Sequence, residues 1–190
     1  MKRAAAITLL PAIILVTLST FVFIAGAACP NVPTMKMLDV CAKTGIPEWT
    51  GICWEMFKSA PKTVEVTVYV LTAVRHAIPR YDGTFNAIKQ LLKAGGKLSG
   101  DEREALSYCK NKYVEGRRFA ASLVHQLSGC DFTHARMESP FTHCHIRLAK
   151  LSQSQRKRLS SVLNKVLDGY TLEQIILELA DLIVKWSKKA

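Results

Sequence analysis

The chain has 190 residues, of which 49% are hydrophobic and 22% charged, with a formal net charge of +11. That length holds one domain plus an N-terminal extra, and the absence of internal repeats and low-complexity segments excludes a repeat architecture. So basic a chain is drawn to polyanions (acidic polysaccharide, nucleic acid or an acidic protein surface), and charge alone does not rank them.

Residues 1–28 form the extra. Lys2 and Arg3 precede an uncharged run from Ala4 to Ala28, and Ala25-Gly26-Ala27 fits the small-residue cleavage pattern of a secretory signal peptide. Pro11 and the Thr17, Ser19 and Thr20 cluster shorten the strongly apolar part, which argues against the rival reading, a retained signal anchor. A lipoprotein cleavage ahead of Cys29 is disfavoured by Gly26, which stands where a leucine is preferred. The expected organisation is a signal peptide over 1–28 and a helical domain over 29–190, with no membrane association after cleavage. Loss of Lys2 and Arg3 lowers the formal charge from +11 to +9. Export makes Cys29, Cys41, Cys53, Cys109, Cys130 and Cys144 bridge candidates before they are metal or catalytic thiols, and spacing does not choose among the pairings.

Thr34 can cap a short helix through Met35, Leu38 and Cys41, closed by Gly45, and Pro47 prevents its simple continuation. Cys41 and Cys53 bracket this turn, and a bridge between them would hold a helical hairpin too small to be stable alone. Over residues 63–78, Val64, Val66, Val68 and Val70 alternate as a strand would, while Val64, Val68, Leu71, Val74 and Ile78 make a helical stripe. With no second β-rich run to pair with, the segment is read as helix. Pro79 and Tyr81-Asp82-Gly83 are expected to kink or interrupt it, before periodicity resumes at Phe85, Ile88, Leu91 and Leu92 and stops at Gly95-Gly96.

The stretch Ser99–Cys130 is the centre of the domain. Leu106, Tyr113, Ala120 and Leu127 recur in heptads with Cys109, Gly116 and Leu123 between them, the narrow apolar seam of a bundle helix. Ser99 and Glu102 form a capping box, Asp101, Glu102 and Glu104 suit the positive end of the macrodipole, and Ser128-Gly129 predicts a stop with a left-handed glycine. Gly116 and Ala120 leave room for a close neighbour, and Cys109 on the same seam needs a partner from a packed helix. Ser139-Pro140 then opens a helix continuing through Ile146, Leu148, Leu151, Leu159, Leu163 and Leu167, with a break near Ser152. Asp168-Gly169 is expected to turn the chain and Thr171 with Gln174 to cap a last helix that buries Leu172, Ile175, Leu179, Leu182 and Trp186. The fold class is therefore all-α: an N-terminal helical hairpin followed by an antiparallel four-helix bundle with disulfides.

Three stretches of this order resemble the plant invertase and pectin methylesterase inhibitor family. Cys41-Ala-Lys-Thr44-Gly-Ile-Pro47, after the apolar pair Met37-Leu38, is similar to the family's C-x-x-T-x-x-P opening. Glu104-Ala-Leu-Ser-Tyr-Cys109-Lys-Asn-Lys-Tyr113 is similar to its A-L-x-x-C-x-x-x-Y, the most specific of the three. Thr142-His-Cys144 and Ser161-Val-Leu-Asn164-Lys-Val-Leu167 are similar to its T-C and later N-x-L. The chain departs from the pattern in an insertion before Cys53, a reduced segment before Cys144, and Pro79 and Gly83 within a helix that is normally long. The resemblance implies bridges Cys41–Cys53 and Cys109–Cys144; Cys29 and Cys130 have no counterpart and form an extra bridge or stay as free thiols. It also implies a secreted, extracellular protein of the apoplast that covers the substrate cleft of pectin methylesterase without covalent chemistry, or alternatively that of invertase. Pro61-Lys62 runs on into Thr63, so the Pro-Lys-Phe tripeptide associated with invertase inhibition is missing.

Such an inhibitor needs exposed residues between its buried seams. On the central helix these are Lys110, Lys112, Glu115, Arg117 and Arg118, and on the next Thr142, His143, His145 and Arg147. Three rival readings compete. Cys130, His134, His143, Cys144 and His145 crowd one region with zinc-ligand types, but without the usual ligand spacing, so no metal is expected. No nucleophile elbow or H-E-x-x-H is present, and Cys130 with His134 is explained more plainly by oxidation, so neither catalysis nor a cofactor is expected. Gln155-Arg-Lys-Arg158 and Lys185 to Lys189 form basic clusters without interleaved aromatics, which suit acidic pectin rather than nucleic acid.

Overall fold

The structure is a computed structural model that describes residues 29–45, 47–94, 98–132 and 140–188. The expected signal peptide over 1–28, the Gly95-Gly96 stop, His134, the Ser139 cap and Lys189 lie outside the described residues.

A two-stranded antiparallel ribbon pairs β1 (Thr34–Lys36) with β2 (Thr63–Glu65), in the register Thr34 to Glu65, Met35 to Val64 and Lys36 to Thr63. Between the strands run α1 (Met37–Ala42) and α2 (Pro47–Phe57), the arms of the hairpin. Pro47 opens α2, where its missing N–H costs nothing, and Gly45 turns the corner at φ 72°. Thr34 is thus a strand residue rather than a cap. Helix α1 begins after Lys36 with no side-chain cap, and the valine stretch does have a strand partner for its first three residues. From Val66 onward the helical stripe wins, because Val66, Val70, Ala73, Val74 and Ala77 are all buried on one face.

Four helical rods then form the bundle: α3 (Val66–Ala94), α4 (Gly100–Ser128), the broken pair α5 (Pro140–Ala149) and α6 (Gln153–Arg158), and α7 (Ser160–Ser187). Helix α3 packs on α4 and α7, and α5 packs on α4 and α7, closing a four-membered ring of rods. The all-α hairpin-and-bundle expectation holds, with the small ribbon added. Neither expected interruption of the long helices occurs. Helix α3 runs through Pro79 and Gly83; Pro79 and Arg75 are both exposed, so the carbonyl freed by the proline lies on the solvent side. Helix α7 runs through Asp168-Gly169, and Thr171 is no cap: its hydroxyl donates to the Leu167 carbonyl within the helix. The break near Ser152 is present, between α5 and α6, and Ser152 caps α6 with Gln155 in a capping box.

Tyr81, Tyr113 and Phe141 form the centre of the core, with ring centroids 4.4 Å apart for Tyr113–Phe141, 4.7 Å for Tyr81–Phe141 and 6.2 Å for Tyr81–Tyr113. Two glycines make room for them. A Cβ on Gly116 would lie 2.3 Å from Phe141 Cζ, and one on Gly169 would lie 2.6 Å from the Tyr113 hydroxyl. Burial pushes the Tyr113 hydroxyl far above its ordinary pKa. Glu173, buried on α7, accepts the Phe141 N–H at 3.3 Å and so ties the start of α5 to the core.

Candidate functional site

The α4 rod carries the face on which inhibitor contacts are expected, and both its ends are pinned. At the start, Ser99 Oγ accepts the Glu102 N–H at 3.3 Å while Glu102 Oε2 accepts the Ser99 N–H at 2.7 Å. Glu102 is fully buried, and its other oxygen accepts Arg158 of α6 at 2.8 Å. The Ser99 N–H first, then Arg158, hold its carboxyl below the usual carboxylate range, against the opposing push of burial. At the far end the left-handed residue is Cys130, at φ 54°, not Gly129, at φ −95°. The Cys130 N–H bonds to the Leu127 carbonyl and the Asp131 N–H to the Gln126 carbonyl, the two bonds of a Schellman stop.

Three bridges are present: Cys41–Cys53 within the hairpin, Cys109–Cys144 between α4 and α5, and Cys29–Cys130. None of the described cysteines is free. The sulfurs of Cys130 and Cys144 are therefore consumed, and neither can serve as a thiolate ligand or nucleophile. Among the described residues no group of three histidine, cysteine or acidic side chains could hold a metal.

The expected contact residues divide among three faces. Between α4 and α5, Arg147 pairs with Glu104 and lays its guanidinium 4.8 Å from the Tyr108 ring centre. Lys112 sits 5.7 Å from the same ring and 2.6 Å from Glu115, whose hydrogen bond raises the lysine pKa. A shallow depression of about 200 Å³ lies beside them, lined by Glu104, Ala105, Arg147, Lys150 and Leu151. Between α3 and α4, Arg117 pairs with Asp82 at 2.8 Å, and Arg118 borders a groove of about 300 Å³ floored by Phe85, Val114 and Ala121. Between α5 and α7, His145 stacks on Tyr170 with centroids 5.1 Å apart and planes 9° from parallel. Lys110 and Thr142 are half-buried, and His143 is exposed.

The geometry gathers Lys112 and Arg147 around Tyr108, with Glu115 paired to Lys112, and sets Arg117, Arg118 and His145 on other flanks. Tyr108 and Val114 belong to these surfaces although the seam pattern did not single them out, and Phe85, read as part of the apolar stripe of α3, lines the groove. The signal available was an apolar or aromatic residue next to a seam position, since Tyr108 adjoins Cys109 and Val114 adjoins Tyr113. Other exposed apolar side chains are Ile146 on α5, Leu167 on α7, and Leu38, Ile52 and Trp54 on the hairpin.

No family model matches the chain, and no curated protein matches it. The architecture is nonetheless shared with a solved structure. Among solved structures the chain is similar to a mutant form of a pectin methylesterase inhibitor from Arabidopsis, with a TM-score of 0.57 and 18% identity over 77% of this chain and 96% of that one. The likeness spans nearly the whole of the other protein and establishes a shared fold. None of the described helices is long and apolar enough to cross a membrane.

Proposed function

We propose that the chain is a secreted, non-catalytic protein inhibitor of pectin methylesterase that acts by laying its α4–α5 surface over the enzyme's substrate cleft. The fold likeness to an inhibitor structure, covering 96% of that chain, is the observation that carries the reading. Three disulfides suit an oxidising extracellular setting such as the apoplast, reached by removal of residues 1–28. The formal charge of +9 that remains after the loss of Lys2 and Arg3 from the full chain's +11 suits work among pectin carboxylates. On this reading Arg147, Lys112 and Tyr108 supply a preformed cationic and aromatic patch of the kind that dominates interfaces.

The test mixes the purified, oxidised secreted protein with pectin methylesterase or with invertase and follows residual activity at slightly acidic pH. Stoichiometric loss of esterase activity is expected. Arg147→Glu is expected to weaken inhibition about tenfold, roughly 1.4 kcal/mol, and Arg117→Glu with Arg118→Glu to weaken it less. Loss of invertase activity alone moves the target to invertase, and no effect on either at micromolar protein ends the inhibitor reading.

A further inference from the structure

Cys29 is held more tightly than a residue in mid-chain needs to be. It is buried, at 5% exposure, and bonded to Cys130 at the end of α4. Its carbonyl accepts the Val32 N–H at 3.3 Å, closing a β-turn with Pro30 second and Asn31 third, the latter at φ 63°. That is the pattern of a type II turn, pre-set by the proline and tolerated by the asparagine. The next residue, Pro33, accepts the Val66 N–H at 3.1 Å, so the turn is tied to the start of α3. Most telling is the amino side. The Cys29 N–H donates to Glu65 Oε2 at 2.8 Å, and the other oxygen of that carboxylate receives the Thr67 hydroxyl. A full negative charge, oriented by a buried threonine, is thus aimed at the backbone nitrogen of Cys29.

A neutral amide offers one proton to that carboxylate, whereas an ammonium offers three and a positive charge. We propose that the chain is cut between Ala28 and Cys29 and that Glu65 is the receptor for the α-ammonium this cut creates. The step is hydrolysis of one peptide bond: water adds, Ala28 departs with a carboxylate, and Cys29 keeps the nitrogen as an ammonium. Gly26 and Ala28 supply the small residues a signal-type endopeptidase requires at the third and first positions before the bond. Cutting one residue earlier, after Ala27, would satisfy the same preference but would place the ammonium roughly 3.5 Å further along the chain, away from the carboxylate. The inference rests on the reading that residues 1–28 are removed, and it adds a structural reason for that boundary and the group that receives the new end.

The full chain, expressed through a eukaryotic secretory pathway, is purified from the medium and its N-terminus read by mass spectrometry after reduction. Cys29 is expected as the first residue, with an unmodified amine. A chain that keeps residues 1–28 ends the removal reading itself. A chain starting at any other residue, or at an acylated Cys29, overturns the proposed site while leaving removal intact. The pair is tested by the rate at which the terminal amine is acylated near pH 7. The secreted protein is expected to react about threefold more slowly than its Glu65→Gln variant, because the carboxylate holds more of the amine protonated. Insertion of one alanine between Ala28 and Cys29 moves the amine without touching Glu65 and is expected to raise the rate equally. In denaturant all three are expected to react alike. Equal rates among the folded proteins would overturn the receptor.

Discussion

In the bundle, Tyr81, Tyr113 and Phe141 meet ring against ring at the centre of four rods, and Gly116 and Gly169 are the hollows into which two of them fit. In the hairpin, α1 and α2 bury Val40, Cys41, Cys53, Met56 and Phe57, while Leu38, Ile52 and Trp54 stay at 63%, 40% and 44% exposure. The bundle is therefore held by shape, large side chains against matching absences of side chain, over a core that the Cys109–Cys144 bridge supplements rather than replaces. The hairpin is held by a covalent closure over a sequence separation of 12 residues, assisted by the ribbon and by Phe57 packing 5.1 Å from the Tyr69 ring of α3. A small element with few buried side chains cannot offset its conformational entropy by burial alone, so the staple does what the core does elsewhere.

Three perturbations break or sharpen that contrast. The largest effect is expected in the bundle: Phe141→Ala should cost about 3–5 kcal/mol of unfolding free energy in denaturant titration. Gly116→Ala should cost about 1–3 kcal/mol, because the ring of Phe141 must give way. Placed on a Phe141→Leu background, the alanine should cost clearly less, and a cycle showing simple additivity would dissolve the knob-and-hollow account.

Next comes the staple. Cys41→Ser with Cys53→Ser should remove about 2–3 kcal/mol from the hairpin. The loss should appear in hydrogen exchange as faster exchange over α1 and α2, with α4 amides nearly unchanged. Equal acceleration across α4 would mean that hairpin and bundle unfold as one unit and that the contrast is wrong.

The smallest effect lies at the start of α4. Ser99→Ala should cost about 1 kcal/mol. Glu102 has its folded pKa depressed, so its contribution is complete above the unfolded carboxyl value near 4.3 and is lost as pH falls through the lower folded value. The difference in melting temperature between the wild type and Glu102→Gln should accordingly be constant from pH 5 to 7 and shrink below about pH 4. A difference that grows on acidification would reverse the sign and remove the ionised Glu102 carboxylate from the account.

Much of this was legible in the residues, and the failures are physical. The α4 seam was readable because Leu106, Cys109, Tyr113, Gly116, Ala120, Leu123 and Leu127 obey one period, and all of them are buried. The Ser99 box was readable because a cap is a local event. The ribbon was not, since Thr34–Lys36 is three residues long and its pairing with Thr63–Glu65 is decided across the hairpin. Thr171 with Gln174 had the spacing of a capping box, but Leu172, Ile175 and Ile176 are buried on a helix already propagating from Ser160, and burial overrode the local signal. Gly169 read as a turn because a glycine excused by the Tyr113 hydroxyl looks, in one dimension, like any other glycine. The candidate contacts were identified as exposed positions, yet how they are shared among flanks depends on where α3, α5 and α7 sit, which no pattern within α4 encodes.

The two capping boxes that meet at one end of the bundle have a further consequence. Gln155 Nε2 donates to Ser99 Oγ at 2.9 Å, and Arg158 reaches Glu102 at 2.8 Å, so the cap of α6 is fastened to the cap of α4. A uniform apolar seam would be nearly indifferent to a slide of one heptad, roughly 10 Å along the axis, because similar surfaces would meet again after the shift. Hydrogen bonds between two helix starts have no such translational degeneracy: a slide of even one residue breaks both at once. The joined caps therefore act as a polar end-stop, reinforcing from the end of the bundle the axial position that the Cys109–Cys144 bridge and the fit of Phe141 on Gly116 set along its length.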